Sequence, residues 1–241
     1  MKVHFKELYL KKIYSTNKKA KELARRGLSE IIIIANEQTK GKGRFNRKWL
    51  SAKGGIYLSI LLKEENIEKT KYLTFIAAIS VVRAIEKIAK IKTKIKWPND
   101  VHINKKKLCG ILTESILGNI NYVVVGVGIN VNQEKFPKEI RDIAISLKIY
   151  LKKEIDKEKI LGQFLKEFIL LYDKYMYKKY NEILNLFKKN CDTIGKNVKA
   201  VTLNKEVYGK AVDVDKDCNL ILMLKNSEIK KIIEGDIFVL D

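Results

Sequence analysis

The chain has 241 residues, of which 46% are hydrophobic and 32% charged, and its formal net charge is +21. Such a length accommodates one sizeable core and a smaller appended unit, and the balance excludes a disordered or membrane-embedded polypeptide. Three widely separated cysteines without a C-x-x-C pair, and only two histidines, exclude a disulfide framework and a structural zinc site; reduced thiols in the cytoplasm fit best.

The segment 1–12 is charged and has no apolar run of the kind that directs export. Ser15-Thr16-Asn17 then cap a Lys/Ala/Leu helix that closes near Gly27. Ile31 to Ala35 reads as a fully buried strand, followed by a glycine-bearing loop and a second strand over Gly55 to Leu62. Thr70 to Lys90 carries apolar residues at helical spacing, and its apolar stretch Leu73 to Val82 falls short of the roughly 20 residues needed to span a bilayer. Ile95-Lys96-Trp97 leads into a hairpin with arms Val101 to Ile103 and Lys107 to Glu114. Asn121 to Asn130 is another strand. Helices are expected from about Asp156 to Lys178 and from Asn181 to Lys189. Short β-type runs follow: Asn197 to Leu203, Glu206 to Val214, Leu220 to Leu224, Ile229 to Ile233 and Ile237 to Leu240.

The lysines occur in every segment, together with an excess of Ile and Asn, so the charge reads as a solvated surface rather than a nucleic-acid footprint. One stretch concentrates it. Gly41-Lys-Gly-Arg-Phe-Asn-Arg-Lys-Trp49 joins two glycines, four cations and an indole. Glycines let backbone N–H groups approach phosphate oxygens, cations neutralise them, and a Trp face can cover a purine. Three further segments follow in order: Lys96-Trp-Pro-Asn-Asp100, Lys107-Leu-Cys-Gly-Ile-Leu-Thr-Glu114 and Gly126-Val-Gly-Ile-Asn130.

Together these segments resemble the ordered signatures of the biotin protein ligases, G-R-G-R-x-G-R-x-W, K-W-P-N-D, K-x-x-G-I-L and G-I-N, at compatible spacing from about Ser15 through Asn132. The resemblance implies an α+β fold: a mixed, mainly antiparallel sheet with packed helices over residues 1–190, followed by a small SH3-like β-barrel over 191–241. It also implies two half-reactions in one pocket. Biotin's carboxylate attacks the α-phosphorus of ATP to give biotinyl-5′-AMP and pyrophosphate, and a lysine of a biotin carboxyl carrier domain then takes the acyl group and releases AMP.

By the same resemblance Lys107, Arg44 and Asp100 are the catalytic candidates. Lys107 would serve both transition states, and Asp100 would position magnesium or the incoming amine. Ser15, Thr16, Asn17, Gln38, Lys42, Gly43 and Gly110 join Arg44 and Lys107 around biotin. Arg47, Trp49, Lys96, Asn99 and Asn130 join them around the nucleotide, with Trp97 on the same wall as Lys96 and Asn99. Lys42 stands where the family often has Arg, which keeps charge and loses planar bidentate binding. Asn46 replaces a glycine, a conservative choice where the backbone needs positive φ. Read without the family, Ser15 and Thr16 are ordinary N-cap residues, Trp49 is a core anchor and Lys107 is one of three exposed lysines.

Members with an amino-terminal winged helix also repress transcription. The signatures here begin almost at Met1, so a monofunctional ligase without DNA binding is expected. Family members often form homodimers. Three other readings compete: a lipoate or octanoate ligase of the related fold, a basic nucleic-acid-binding protein using Lys40 to Lys48, and a noncatalytic biotin-binding module, which would not require the loop arginines or Lys107.

Overall fold

The computed structural model describes residues 4–202 and 205–240. Seven strands, β1 (Lys6–Leu10), β2 (Ile31–Ala35), β3 (Ile56–Lys63), β4 (Lys94–Lys96), β5 (Asp100–Ile103), β6 (Lys106–Ile116) and β7 (Tyr122–Ile129), lie in the order β1-β2-β3-β7-β6-β5-β4. Strand β1 runs parallel to β2, and every other pairing is antiparallel. The sheet is therefore mixed and mainly antiparallel.

Helices α1 (Thr16–Arg25), α2 (Lys71–Ala89), α3 (Leu147–Leu151), α4 (Lys157–Met176) and α5 (Tyr180–Asn190) cover it. The isoleucine run of β2 is explained by cover on both faces. Ile32 and Ile34 point to the main core with α2, α4 and α5, while Ile31 and Ile33 meet Ala20, Leu23 and Ala24 of α1. Burial on two sides removes the alternation that a half-exposed strand would show.

Two elements were not legible. Strand β1 is a charged edge strand whose residues alternate between exposed and half-buried, so it carries no apolar run. Helix α3 is a short turn capped by Ser146, whose side chain accepts from Ile149 N at 3.1 Å. The expected hairpin turn is present, with Asn104 and Lys105 both at positive φ, as a two-residue turn between twisted strands requires.

Beyond α5, strands β8 (Asn197–Val201), β9 (Glu206–Val214), β10 (Leu220–Met223), β11 (Ile229–Ile232) and β12 (Asp236–Val239) form a five-stranded antiparallel sheet, ordered β11-β10-β9-β8-β12. Leu203, the expected end of β8, lies outside the described residues. The apolar interior of this sheet, including Val198, Ala211, Leu220 and Ile237, is continuous with the main core. Trp97 makes the link. Its indole is 2% exposed and donates to Cys218 O at 3.0 Å, and its backbone N–H donates to Thr193 Oγ1 at 3.0 Å. Among the described residues no helix is long and apolar enough to cross a membrane.

The turn after β9 is organised by Asp215. Its Oδ1 accepts from the backbone N–H groups of Asp217 and Asn219, each at 2.9 Å, and its other oxygen pairs with Lys231 at 2.9 Å. Partial burial alone would raise this carboxyl, but the Lys231 ammonium and the backbone donors outweigh it and hold the carboxyl at about 2. A folded-state value below the ordinary carboxylate range adds stability that is complete above about pH 4 and is lost as pH falls toward 2. We expect Asp215→Ala to cost about 1–3 kcal/mol near neutrality. In denaturant titrations that deficit should narrow steadily as the pH is lowered through this window.

Candidate active site

On the α1 face of the large sheet three glycines take the places where neighbouring strands would carry side chains. Gly110 of β6 pairs with Gly128 of β7, and Leu112 pairs with Gly126. A Cβ on Gly126 would collide with the Asn17 carboxamide, and one on Gly128 with the Trp49 indole. A Cβ on Gly110 would come within 3.0 Å of Trp49 Cζ3 and 3.1 Å of Lys107 Cε. This bare strip is the floor of a cavity of about 320 Å³.

One wall begins at the amino end of α1. Ser15 caps the helix, its side chain accepting from Lys18 N at 3.4 Å, and it lines the cavity as well. The Thr16 backbone N–H donates to Gln38 Oε1 at 2.8 Å, and Gln38 Nε2 donates to Ser51 Oγ at 2.8 Å. Ser59 Oγ lies 2.7 Å from Thr16 Oγ1 and 2.6 Å from Asn17 Oδ1. Asn17 Nδ2 donates to Glu114 Oε2 at 2.8 Å, and Lys21 holds the other oxygen of Glu114. Donors and acceptors are thereby fixed at the closed end of an otherwise apolar slot.

The opposite end is cationic. Five basic residues line the cavity, Lys42, Arg44, Arg47, Lys48 and Lys107, against two carboxylates, Asp100 and Asp236, so the site favours an anion. The loop 41–49 is folded as a small hairpin: Gly43 N donates to Arg47 O at 2.7 Å and Trp49 N to Gly41 O at 2.9 Å. Gly41 is required by space, since a Cβ would lie 2.6 Å from Trp49 O. Phe45 and Asn46 both have positive φ, which accounts for Asn at a family glycine position. The guanidinium groups of Arg44 and Arg47 both lie over the Phe45 ring, 4.9 and 5.5 Å from its centre.

Arg44 is positioned by Asn99, whose Oδ1 accepts at 3.2 Å while its Nδ2 donates to Ile111 O at 2.8 Å. It also reaches across to the carboxyl-terminal sheet, donating to Gly235 O at 3.3 Å and lying 3.6 Å from Glu234. Arg47 pairs with Asp236, and its guanidinium is raised by that hydrogen bond.

Lys107 and Gly110 are three residues apart on one strand, a spacing that would place them on opposite faces of a regular sheet. The register of β5 against β6 shifts between Val101 and His102, giving a bulge that turns both Leu108 and Cys109 into the core. Lys107 is thus brought to the face of Gly110. Its Nζ stands 2.7 Å from Asp100 Oδ1 and 5.5 Å from the centre of the Trp49 ring. At the end of β7, Asn130 is 3% exposed and closes the far side.

The cavity therefore gathers Ser15, Thr16, Asn17, Gln38, Lys42, Gly43, Arg44, Arg47, Trp49, Asn99, Asp100, Lys107, Gly110 and Asn130. Lys96 stands apart. Its side chain is half-buried, its ammonium lies 5.8 Å from the centre of the Phe238 ring, and burial lowers its pKa against the opposing pull of Asp100. Trp97 also departs from the expected wall, because its indole anchors the carboxyl-terminal sheet. Sequence reasoning missed Ser59 and Asp236, and it quoted Glu114, Gly126 and Gly128 within their segments without giving them a place at the site. Ser59 did leave a signal, as the one serine within the apolar run of β3.

The sequence matches the Biotin/lipoate A/B protein ligase family over residues 9–130 and the biotin protein ligase C terminal domain over residues 193–240. The bifunctional ligase/repressor BirA of Bacillus subtilis is 40% identical, across 95% of this chain and 73% of its own length. The chain belongs to the biotin protein ligase family. The biotin--[acetyl-CoA-carboxylase] ligase of Mycobacterium tuberculosis is 30% identical, covering 80% of this chain and 73% of its own. Among solved structures, the biotin protein ligase from Aquifex aeolicus in complex with biotin and ATP superposes with a TM-score of 0.85 at 33% identity, over 96% of this chain and 97% of that one.

The glycine floor yields a direct test. Gly126→Ala must displace Asn17, which is only 8% exposed and has little room to move. Calorimetric titration should show biotin affinity weakened at least about tenfold with the circular-dichroism spectrum unchanged. Undiminished affinity would mean that Asn17 is not part of the slot.

Proposed function

We propose that this ligase activates biotin with ATP to biotinyl-5′-AMP in the cavity over Gly110, Gly126 and Gly128, and transfers the acyl group to a lysine of a biotin carboxyl carrier domain. The observation that carries this reading is the convergence of four separated segments, through Arg44, Asp100, Lys107 and Asn130, on one cavity.

The polar ring formed by Ser15, Thr16, Asn17 and Gln38 supplies paired donors and acceptors for the ureido head of biotin, and the glycine strip leaves room for the bicycle. Its carboxylate then points toward Lys107. Arg44 and Arg47, with Lys42 beside them, meet the phosphates. The Lys107 ammonium lies where charge grows on the α-phosphoryl oxygens in the first step and on the acyl oxygen in the second. Trp49 covers the intermediate, and its indole N–H, buried without a hydrogen-bond partner among the described residues, has donor capacity to offer it.

Magnesium fits as a companion of the phosphates rather than as a protein-enclosed ion. No group of three or more His, Cys, Asp or Glu residues stands at metal-binding distance among the described residues. Asp100 Oδ1 faces Lys107 yet lacks hydrogen-bond geometry, and it is the carboxylate that would hold the ion together with ATP oxygens. Bound there, the ion would neutralise phosphate charge. Asp100 has an alternative task in the second step, orienting the carrier's amine.

The three free cysteines are all buried, and burial raises each thiol, Cys218 to about 12, which fits a reducing cytoplasm. Incubation with biotin, ATP, magnesium and a carrier domain should add one biotinyl mass to that domain by mass spectrometry. Lipoate supplied in place of biotin should not support adenylate formation, and turnover of lipoate alone would overturn the choice of substrate. Lys107→Ala should lower kcat by about 10²–10³ with the fold retained. Unchanged turnover would remove Lys107 from the mechanism.

A further inference from the structure

Asn130 enters the cavity with half of its carboxamide already engaged, and the partner that engages it belongs to a buried chain of hydrogen bonds with a fixed direction. The chain starts at the carbonyl of Ala52, which accepts the only proton of the Tyr57 hydroxyl at 2.7 Å. What remains on that oxygen is accepting capacity, so Gln133, 2.9 Å away, must present an N–H to it. The same Nε2 lies 3.2 Å from Asn130, which must therefore present its oxygen. Asn130 Nδ2 is left to face the cavity and makes no hydrogen bond among the described residues.

We propose that Tyr57 and Gln133 are positioning residues for the adenylation step, holding the Asn130 amide with its donor toward the nucleotide and so offering it to an acceptor atom of the base or ribose. The inference rests on the adenylate-forming function argued above. Neither residue lines the cavity. Tyr57 is 0% and Gln133 7% exposed, so neither hydroxyl nor amide exchanges these bonds for bulk water.

Two further observations support a directed relay over incidental packing. The Gln133 Oε1 is buried with no hydrogen-bond partner among the described residues, so the amide keeps its NH₂ between two acceptors while its own oxygen goes unpaired. Turning the amide over would set an oxygen against the Asn130 oxygen and strand Tyr57 as well. Burial pushes the Tyr57 hydroxyl well above the ordinary phenol range, so the proton that sets the direction is retained at working pH. Space is provided by Gly55, where a Cβ would strike the Tyr57 hydroxyl and lie 2.7 Å from Gln133 Nε2. The backbone is held too: Asn130 N donates to Leu108 O at 2.9 Å, and Gln133 O accepts from Ser146 Oγ at 2.6 Å.

Biotin-dependent pyrophosphate exchange, with KM for ATP and for biotin measured separately, tests the relay. Gln133→Glu replaces the donor with an acceptor and should turn Asn130 over. KM for ATP should rise about tenfold or more while KM for biotin stays within about twofold. Tyr57→Phe, which keeps the ring, should shift KM for ATP in the same direction by a smaller factor and serves where the buried glutamate prevents folding. In an Asn130→Ala background, Gln133→Glu should have no further effect on ATP, an outcome that a merely structural role would not produce. Wild-type KM for ATP in the folded variants, equal rises for ATP and biotin, or full additivity with Asn130→Ala would each overturn the proposal. The unmodified chain separates the claims, because absence of biotin-dependent exchange there refutes the ligase function rather than the relay.

Discussion

The site exists because two adjacent strands lack side chains at three positions on one face. Gly110 faces Gly128 across β6 and β7, Gly126 lies two residues along, and the absence of their side chains lets Asn17, Trp49 and Lys107 approach the sheet and shape the cavity between them. Everything around the strip is arranged against it: Asn17 rests over Gly126, Trp49 over Gly128, and Lys107 beside Gly110. The opposite face of the same strands has no such freedom. Val125, Val127 and Ile129 are packed into the main core, which makes the floor rigid as well as bare. A hollow backed by a close-packed sheet keeps its shape when empty, and side chains mounted on its rim need little reorganisation.

Charge in the empty cavity is compensated from within. Lys107 faces Asp100, Arg47 faces Asp236, and Arg44 reaches Glu234 and a carbonyl of the carboxyl-terminal sheet. Three cations expected to meet phosphate thus have protein partners, two of them supplied by a segment nearly two hundred residues away in sequence. Under the proposed function, phosphates entering the cavity would compete with carboxylates for the same guanidinium groups, which would link nucleotide binding to the placement of the carboxyl-terminal sheet. Trp97 and the turn after β9, where Lys216 O accepts from the Tyr72 hydroxyl and Asn219 Oδ1 from Lys71, join that sheet to the rest of the core.

Much of this was written locally in the sequence. The cap at Ser15, the isoleucine run of β2, the amphipathic span of α4 and the glycine-bearing loop all follow from short-range spacing. Roles at the cavity were suggested only by the ordered resemblance, since a lysine in Lys105-Lys-Lys107 is unremarkable until the bulge at Leu108 turns one of the three onto the glycine face. What stayed hidden was long-range. Asp236 finds Arg47 only after the chain has folded, and Gln133 matters only because Tyr57 comes to lie beside it. The segment Lys96-Trp-Pro-Asn-Asp100 illustrates the reverse, a motif whose members part company: Asn99 and Asp100 line the cavity, Lys96 stands outside it, and Trp97 anchors the carboxyl-terminal sheet. Strand β1 escaped notice because a charged edge strand lacks the apolar signature on which strand recognition depends.

The most direct test of the account is a crystal structure of the chain with a non-hydrolysable biotinyl-AMP analogue. The bicycle should lie on the strip of Gly110, Gly126 and Gly128 beneath Ser15, Thr16 and Gln38, with the phosphate between Arg44 and Lys107 and the nucleoside at Asn130. An analogue bound away from that strip, or with its phosphate remote from both cations, would contradict the claim that one glycine-floored hollow holds the whole acyl-adenylate.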